Sequence, residues 1–178
     1  MSFEQYAGCE NMVYLTGFES PLTAAEIDSI WRYEPEIGNF YWRIRPCNSV
    51  HEGDRAGETT NEGYVRINYN HRRYLAHWLV WTLVTGSWPT MLIDHRDNDG
   101  SNNRAGNLRA ATTVTNSANR KRGNQCTNLR GARFRTDRST WIAVLDQRYL
   151  GQFESEQAAH EAWKIAAAKH YGEFARFD

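Results

Sequence analysis

The sequence predicts an α+β chain built as two units, the first made of β-hairpins and helices and the second of a three-stranded antiparallel sheet backed by one helix. Three observations lead there. The runs FYWRIR and GYVRINY alternate large apolar and polar residues with the two-residue period of a strand. The run YLAHWLVWTLVTG instead repeats leucine every four residues, at Leu75, Leu79 and Leu83, and stops at Gly86 with Pro89 just beyond. After the break GNQCTN come three short strand-like runs, RGARFR, WIAVLD and RYLGQF, and then one alanine-rich helical run.

Taken in order, residues 1–22 show no sustained period and contain Gly8, Gly17 and Pro21, which suits an N-terminal arm. A first domain is expected over 23–122. It opens with TAAEIDSIWRY, a short helix that Thr23 caps with Glu26 three positions on. A turn in EPEIGN leads to the strand FYWRIR, and GYVRINYNHRRYLAH forms a hairpin turning near Asn70 and His71. Trp31, Trp42, Trp78, Trp81 and Trp88 are expected to fill the core. Residues 123–126 serve as a linker to a second domain at 127–178. Its helix runs from Ser155 to Gly172, with Ala158, Ala162 and Ala166 as a small stripe against the sheet, and Trp141, Leu150, Phe153 and Trp163 as core.

Hydrophobic residues are 40% of the 178 and aromatics 13%, enough for packed cores and unlike a disordered chain. The formal net charge is zero, so overall charge gives no case for a polyanionic partner. Its distribution does. Glu19, Glu26, Asp28, Glu34 and Glu36 face only Arg32 over 18–37, whereas Arg120, Lys121, Arg122, Arg130, Arg133, Arg135, Arg138 and Arg148 outnumber Asp137 and Asp146 over 120–148. Cys9, Cys47 and Cys126 are scattered and unpaired, which argues against a disulfide framework or a cysteine zinc site and for reduced thiols. The start MSFEQYAGCE lacks the basic and apolar regions of a signal peptide, and no apolar run has the length of a membrane span. Cytosol-like surroundings are expected.

The chemistry concentrates in MLIDHRDNDGSNNRAGNLRAATTVTNSANRKR, residues 91–122. Asp94 and His95 are followed by Asn107, twelve positions after the histidine, and by Asn116, nine further on. These residue types and spacings resemble the His-Asn-His endonuclease family, in the variant whose last residue is Asn, and the likeness spans roughly 64–122. The resemblance implies a ββα-metal nuclease unit holding one Mg2+ or Mn2+ ion and no structural zinc. His95 would be the general base on water, Asp94 and Asn116 the metal ligands, and Asn107 a structural brace for the loop that presents His95. An Asp and an Asn amide form a hard, oxygen-only set suited to such ions. Asn119 and Arg120 share a helix face with Asn116 and would touch the phosphate backbone; His77 would lie beside the site.

The second unit, through LRGARFR, Trp141, LGQF and AAHEAWKIAAAKHYGEFARFD, resembles the plant ethylene-response-factor (AP-two) DNA-binding domain. That likeness implies a sheet lying in the major groove of double-stranded DNA, with Arg133 and Arg135 at the family's base-contacting positions and Tyr149 at its groove-facing one; Arg122, Arg130 and Arg148 complete the expected DNA-binding set. Two departures stand out: TDRST replaces the family's Pro-Trp-Gly turn, and Asp146 stands where an Arg is common.

DNDGSNN resembles a calcium loop but lacks its terminal Glu, and His51, His71, His160 and His170 carry no motif. The expected function is a sequence-preferring, metal-dependent DNA endonuclease of the homing kind, such as phages carry; the rival is a non-catalytic DNA-binding regulator on a nuclease-derived fold. An RNA-binding module lacks an aromatic signature.

Overall fold

A computed structural model describes residues 22–119 and 129–177. The expected arm and linker therefore lie almost wholly outside the described residues. Helix α1 (Ala24–Ile30) is capped as its sequence predicts, with Thr23 accepting from Glu26 N and the Glu26 carboxylate accepting from Thr23 N. The helix is shorter than expected. At Trp31 the backbone turns extended, and Trp31–Glu34 forms strand β1 in place of the last helical turn. The reason is tertiary: β1 pairs antiparallel with β2 (Asn39–Trp42), so that Trp31 and Trp42 sit opposite each other with ring centroids 5.4 Å apart. Burying those two indoles outweighs the modest helix propensity of Trp and Tyr. Strand β3 (Arg55–Ala56) completes this first sheet.

A second sheet contains β4 (Glu58–Thr59), β5 (Val65–Tyr69) and β6 (Arg72–Leu75). The β5–β6 turn is the two-residue loop Asn70-His71, both residues at positive φ (47° and 60°), a hairpin geometry whose twist matches that of the strands. Helix α2 (Ala76–Thr85) follows directly and ends at Gly86. Its buried residues, among them Leu79 and Val80, join Trp31, Phe40, Ile27 and Ile67 in one core. Trp78, Trp81 and Trp88 are partly buried against it. Next come β7 (Leu92–His95), a 3-10 turn (Ala105–Asn107), β8 (Leu108–Ala111) and helix α3 (Thr113–Asn119).

In the C-terminal unit β9 (Ala132–Arg135), β10 (Thr140–Leu145) and β11 (Arg148–Phe153) form an antiparallel sheet in the order β11-β10-β9, backed by α4 (Glu156–Tyr171). Its core holds Ala132, Ala143, Leu145, Ala159, Trp163 and Ala167, with Trp141, Leu150 and Phe153 packed against it. The stripe facing the sheet is thus Ala159, Trp163 and Ala167, one position on from the expected one, and Ala158 is exposed. Gly131 allows this close approach: at φ +78° it lies so near the Trp163 indole that a Cβ would come within 2.0 Å of Cγ.

The two units touch. The 3-10 turn Gly172–Phe174 that follows α4 packs on α3. Arg96 Nη1 is 2.5 Å from the Glu173 carboxylate, and Arg130 Nη2 donates to Ala118 O at 2.8 Å.

Candidate active site

Strands β7 and β8 pair antiparallel with Asp94 opposite Arg109 and His95 opposite Leu108. Adjacent residues on a strand point to opposite faces, so Asp94 and His95 find different partners even though both are buried. The Asp94 carboxylate meets α3: Asn119 Nδ2 donates to its two oxygens at 3.1 and 3.0 Å, and to the His95 carbonyl at 3.0 Å. Arg109 Nε donates to Asp94 Oδ2 at 2.9 Å, and Nη2 stands 2.8 Å from the same oxygen.

The His95 imidazole faces the 96–104 loop. Its Nε2 is 3.3 Å from Asn103 Oδ1, while Asn103 Nδ2 donates to Ser101 O at 3.0 Å. With the amide orientation fixed that way, Oδ1 must accept, so Nε2 carries the proton and Nδ1 is the basic nitrogen. Burial lowers the pKa of His95 below its ordinary value; the Asn103 bond and the charges of Asp97, Asp94 and Asp99 act against that. The ring is therefore neutral at neutral pH. His77 and Tyr64 pack on it with centroids 5.0 and 5.8 Å away, and burial, aided by His95, pushes His77 down to about 3.

The loop carrying Asn103 is braced twice. Asn107 Nδ2 donates to Asp97 Oδ1 and to Asn102 O, and its Oδ1 accepts from Asp97 N. From the other side, Tyr33 Oη donates to Asn103 O at 3.0 Å and accepts from Ala105 N, while Arg104 Nε donates to Glu36 O. Gly38, at φ +75°, lets the β1–β2 turn press in, since a Cβ there would stand 2.6 Å from Arg104 N. The N-terminal hairpin is thus a clamp on the histidine's support.

Asn116 lies on α3, whose start is fixed by reciprocal bonds between Thr112 and Thr115. Together with Asp94, His95, Tyr64, Ile93 and Asn98 it lines a cavity of about 310 Å³. Asp94 Oδ1 accepts from Asn119 among the described residues, and Asn116 is exposed on the same cavity. Oxygen donors with spare capacity on one cavity fit a hard divalent ion that completes its shell from water and phosphate. Among the described residues no three His, Cys, Asp or Glu side chains are grouped so as to hold a metal.

Residues 74–118 match the family model described as HNH endonuclease. The matched HNH segment runs from β6 through α3 and includes Asp94, His95, Asn107 and Asn116. A solved structure described as "DNA binding and cleavage by the HNH homing endonuclease I-HmuI" is similar at 18% sequence identity and a TM-score of 0.37, covering 79% of this chain and 84% of that one. No curated protein matches. The HNH match ends before the C-terminal unit, and no comparison supports the likeness to the ethylene-response-factor domain expected there.

Several expected site residues are placed differently. Asn119 is buried and braces Asp94, so it does not face a phosphate. Arg120 and Arg122 lie outside the described residues. Arg130, expected at DNA, bonds instead to Ala118 O and Arg176 O, with its guanidinium 5.4 Å over the Trp163 ring. Cross-strand register puts Arg133, beside Ile142, and Arg135, beside Thr140, on the face of the sheet away from α4, with Tyr149 beside Val144 on the far strand. Tyr149 and Arg148 are exposed, and Arg135 is paired with Asp137 at 2.5 Å. Sequence reasoning missed Asn103, Tyr64 and Arg109. Only Arg109 carried a signal, two positions after Asn107 on a strand facing Asp94.

No helix among the described residues is long and apolar enough to cross a membrane.

Proposed function

We infer that this protein is a metal-dependent DNA endonuclease of the His-Asn-His type, sequence-preferring and of the homing kind. The observation that carries this is the convergence of Asp94, His95 and Asn116 on one cavity. Asp94 Oδ1 and the Asn116 amide oxygen would hold one Mg2+ or Mn2+ ion, which when bound supplies charge neutralisation at the scissile phosphate and the leaving oxygen.

The remaining chemistry belongs to the chain. His95 Nδ1 takes a proton from a water molecule as the water oxygen bonds to phosphorus and the bond from phosphorus to the 3′-oxygen breaks. The leaving oxygen gains a proton from solvent, giving 5′-phosphate and 3′-hydroxyl ends. Asn103 keeps the Nε2 proton in place, so that Nδ1 is the atom that reacts. As His95 gains charge, the carboxylates of Asp97 and Asp99 favour the imidazolium, and both are themselves held ionised. For Asp97, burial works the other way and is outweighed by hydrogen bonds from Asp99 N, Asn102 and Asn107; for Asp99 the bonds from Ser101 dominate.

Site choice would fall to the outer face of the C-terminal sheet, which carries Arg133, Arg135 and Tyr149 and would enter a major groove of double-stranded DNA, with Arg148, which pairs with the core residue Leu145, at its edge. What supports this reading is the exposed basic and aromatic face itself, with Tyr149 among its exposed side chains.

The test is incubation with supercoiled plasmid in Mg2+, with and without EDTA, and mapping of the new ends. Metal-dependent conversion to nicked or linear DNA with 5′-phosphates is expected. Intact plasmid under all metal conditions would leave a DNA-binding regulator as the better description.

A further inference from the structure

Asp94 is the only charged member of the candidate ligand pair, and its charge is already matched. Arg109 stands against Oδ2 through Nε at 2.9 Å and Nη2 at 2.8 Å, and both side chains are almost fully buried, at 6% and 7% exposure. The guanidinium is also held from behind. Nη1 donates to Glu173 O at 2.8 Å, and the Phe174 ring lies face-on, 3.7 Å from the Arg109 Cζ. Glu173 is tied in turn to Arg96. A buried Arg with a carboxylate on one side and an aromatic ring and a carbonyl on the other cannot swing away without leaving charge uncompensated. The other ligand, Asn116, is neutral, as is Asn119. Asp97 and Asp99 are turned into their own loop, toward Asn102, Asn107 and Ser101, and neither lines the cavity.

We propose that Arg109, locked by the C-terminal turn at Glu173–Phe174, neutralises Asp94 so that the site holds a divalent cation tightly only together with a DNA phosphate, which supplies the missing negative charge. The proposal rests on the nuclease reading above and adds the order in which its ligands assemble. Two neutral-on-balance oxygen ligands hold a divalent ion weakly, and a phosphate oxygen contributes both a ligand and a charge. By linkage the cation must then raise DNA affinity by the same factor as DNA raises cation affinity. Arg109 is a positioning and charge-setting residue that acts through Asp94. The C-terminal unit takes part in the centre through the turn that covers Arg109.

The test is a Mn2+ titration of the full chain, following free Mn2+ by electron paramagnetic resonance. A His95→Ala background prevents turnover, and a short duplex that the wild type cuts is present or absent, with uptake by duplex alone subtracted. Weak binding to the free protein and roughly tenfold or greater tightening with duplex are expected. Arg109→Gln should tighten Mn2+ binding to the free protein by roughly tenfold and shrink the effect of duplex, whereas Arg109→Lys, which keeps the charge, should not. A merely structural role for Arg109 would weaken binding in both variants. Equal affinity with and without duplex overturns the proposal, as does unchanged or weaker Mn2+ binding by Arg109→Gln that still unfolds cooperatively. If Arg109→Gln does not fold, the comparison with and without duplex decides alone. Asp94→Ala separates the two levels: loss of uptake keeps the metal site, while uptake that persists without Asp94 removes the metal assignment and this proposal together.

Discussion

Asn103→Ala probes the support of the proposed base without touching the base itself. Asn103 is fully buried at 0% exposure, so it has no surface with which to meet DNA. Its loss leaves the His95 Nε2 proton unpaired in a buried site, which costs about 1–3 kcal/mol. Where that cost falls on the transition state, in which His95 becomes cationic, each 1.4 kcal/mol is about tenfold in rate, so a decrease of roughly 10- to 100-fold is expected. The His77 and Tyr64 rings still flank His95, which keeps the loss below that of removing the imidazole. The assay is single-turnover cleavage with saturating protein and Mg2+, beside a binding titration in which affinity stays unchanged. In a His95→Ala background the same substitution should lower the rate no further, because it acts only through the ring. A folded Asn103→Ala protein cleaving within about twofold of wild type, or an equal loss in both backgrounds, would refute the reasoning.

Acid stability should respond to His77. Its pKa falls from 6.5 unfolded to about 3 folded, so between those values the unfolded chain binds the extra proton, and stability present above pH 6.5 is lost as pH falls toward 3. Chemical denaturation at a series of pH values should show a decline of up to about 1.4 kcal/mol per pH unit from this group, and His77→Phe should flatten it; identical slopes would show that His77 does not contribute. Gly131→Ala should unfold the C-terminal unit at markedly lower denaturant concentration, since the new methyl would sit on the Trp163 indole, and an unchanged midpoint would contradict that packing. Arg133→Ala should cost about 1–3 kcal/mol on a preferred duplex and much less on a scrambled one if it reads a base edge. Equal losses on both would make the sheet an electrostatic clamp.

What the sequence made legible is what local spacing controls. Asp94, His95 and Asn116 lie on β7 and α3 of one short motif, so their convergence follows from a strand, a strand and a helix of ordinary length. Thr23 with Glu26, the Asn70-His71 turn and the stop at Gly86 were legible for the same reason: cap and turn chemistry is local. Long-range partnerships were not. Trp31–Glu34 reads as the end of a helix until its pairing with Asn39–Trp42 is known. Asn103 is hidden in DNDGSNN, where every polar residue is equally suited to a turn, and only the closing of the loop selects the one that meets His95. Arg109 becomes meaningful through the register that sets it opposite Asp94, and Phe174 through a contact with a residue far away in sequence. Ala158 and Ala159 both suit a sheet-facing stripe, and the depth at which Trp163 packs decides between them.

On this reading His95 is the base beside a divalent ion that Asp94 and Asn116 would hold on the shared cavity. The most direct test is the single-turnover rate of His95→Ala at saturating Mg2+ and a saturating duplex, with DNA affinity measured alongside. A loss of about 10²–10⁴-fold at unchanged affinity is expected, since the imidazole acts in the transition state and not in binding. Undiminished cleavage by His95→Ala would contradict it.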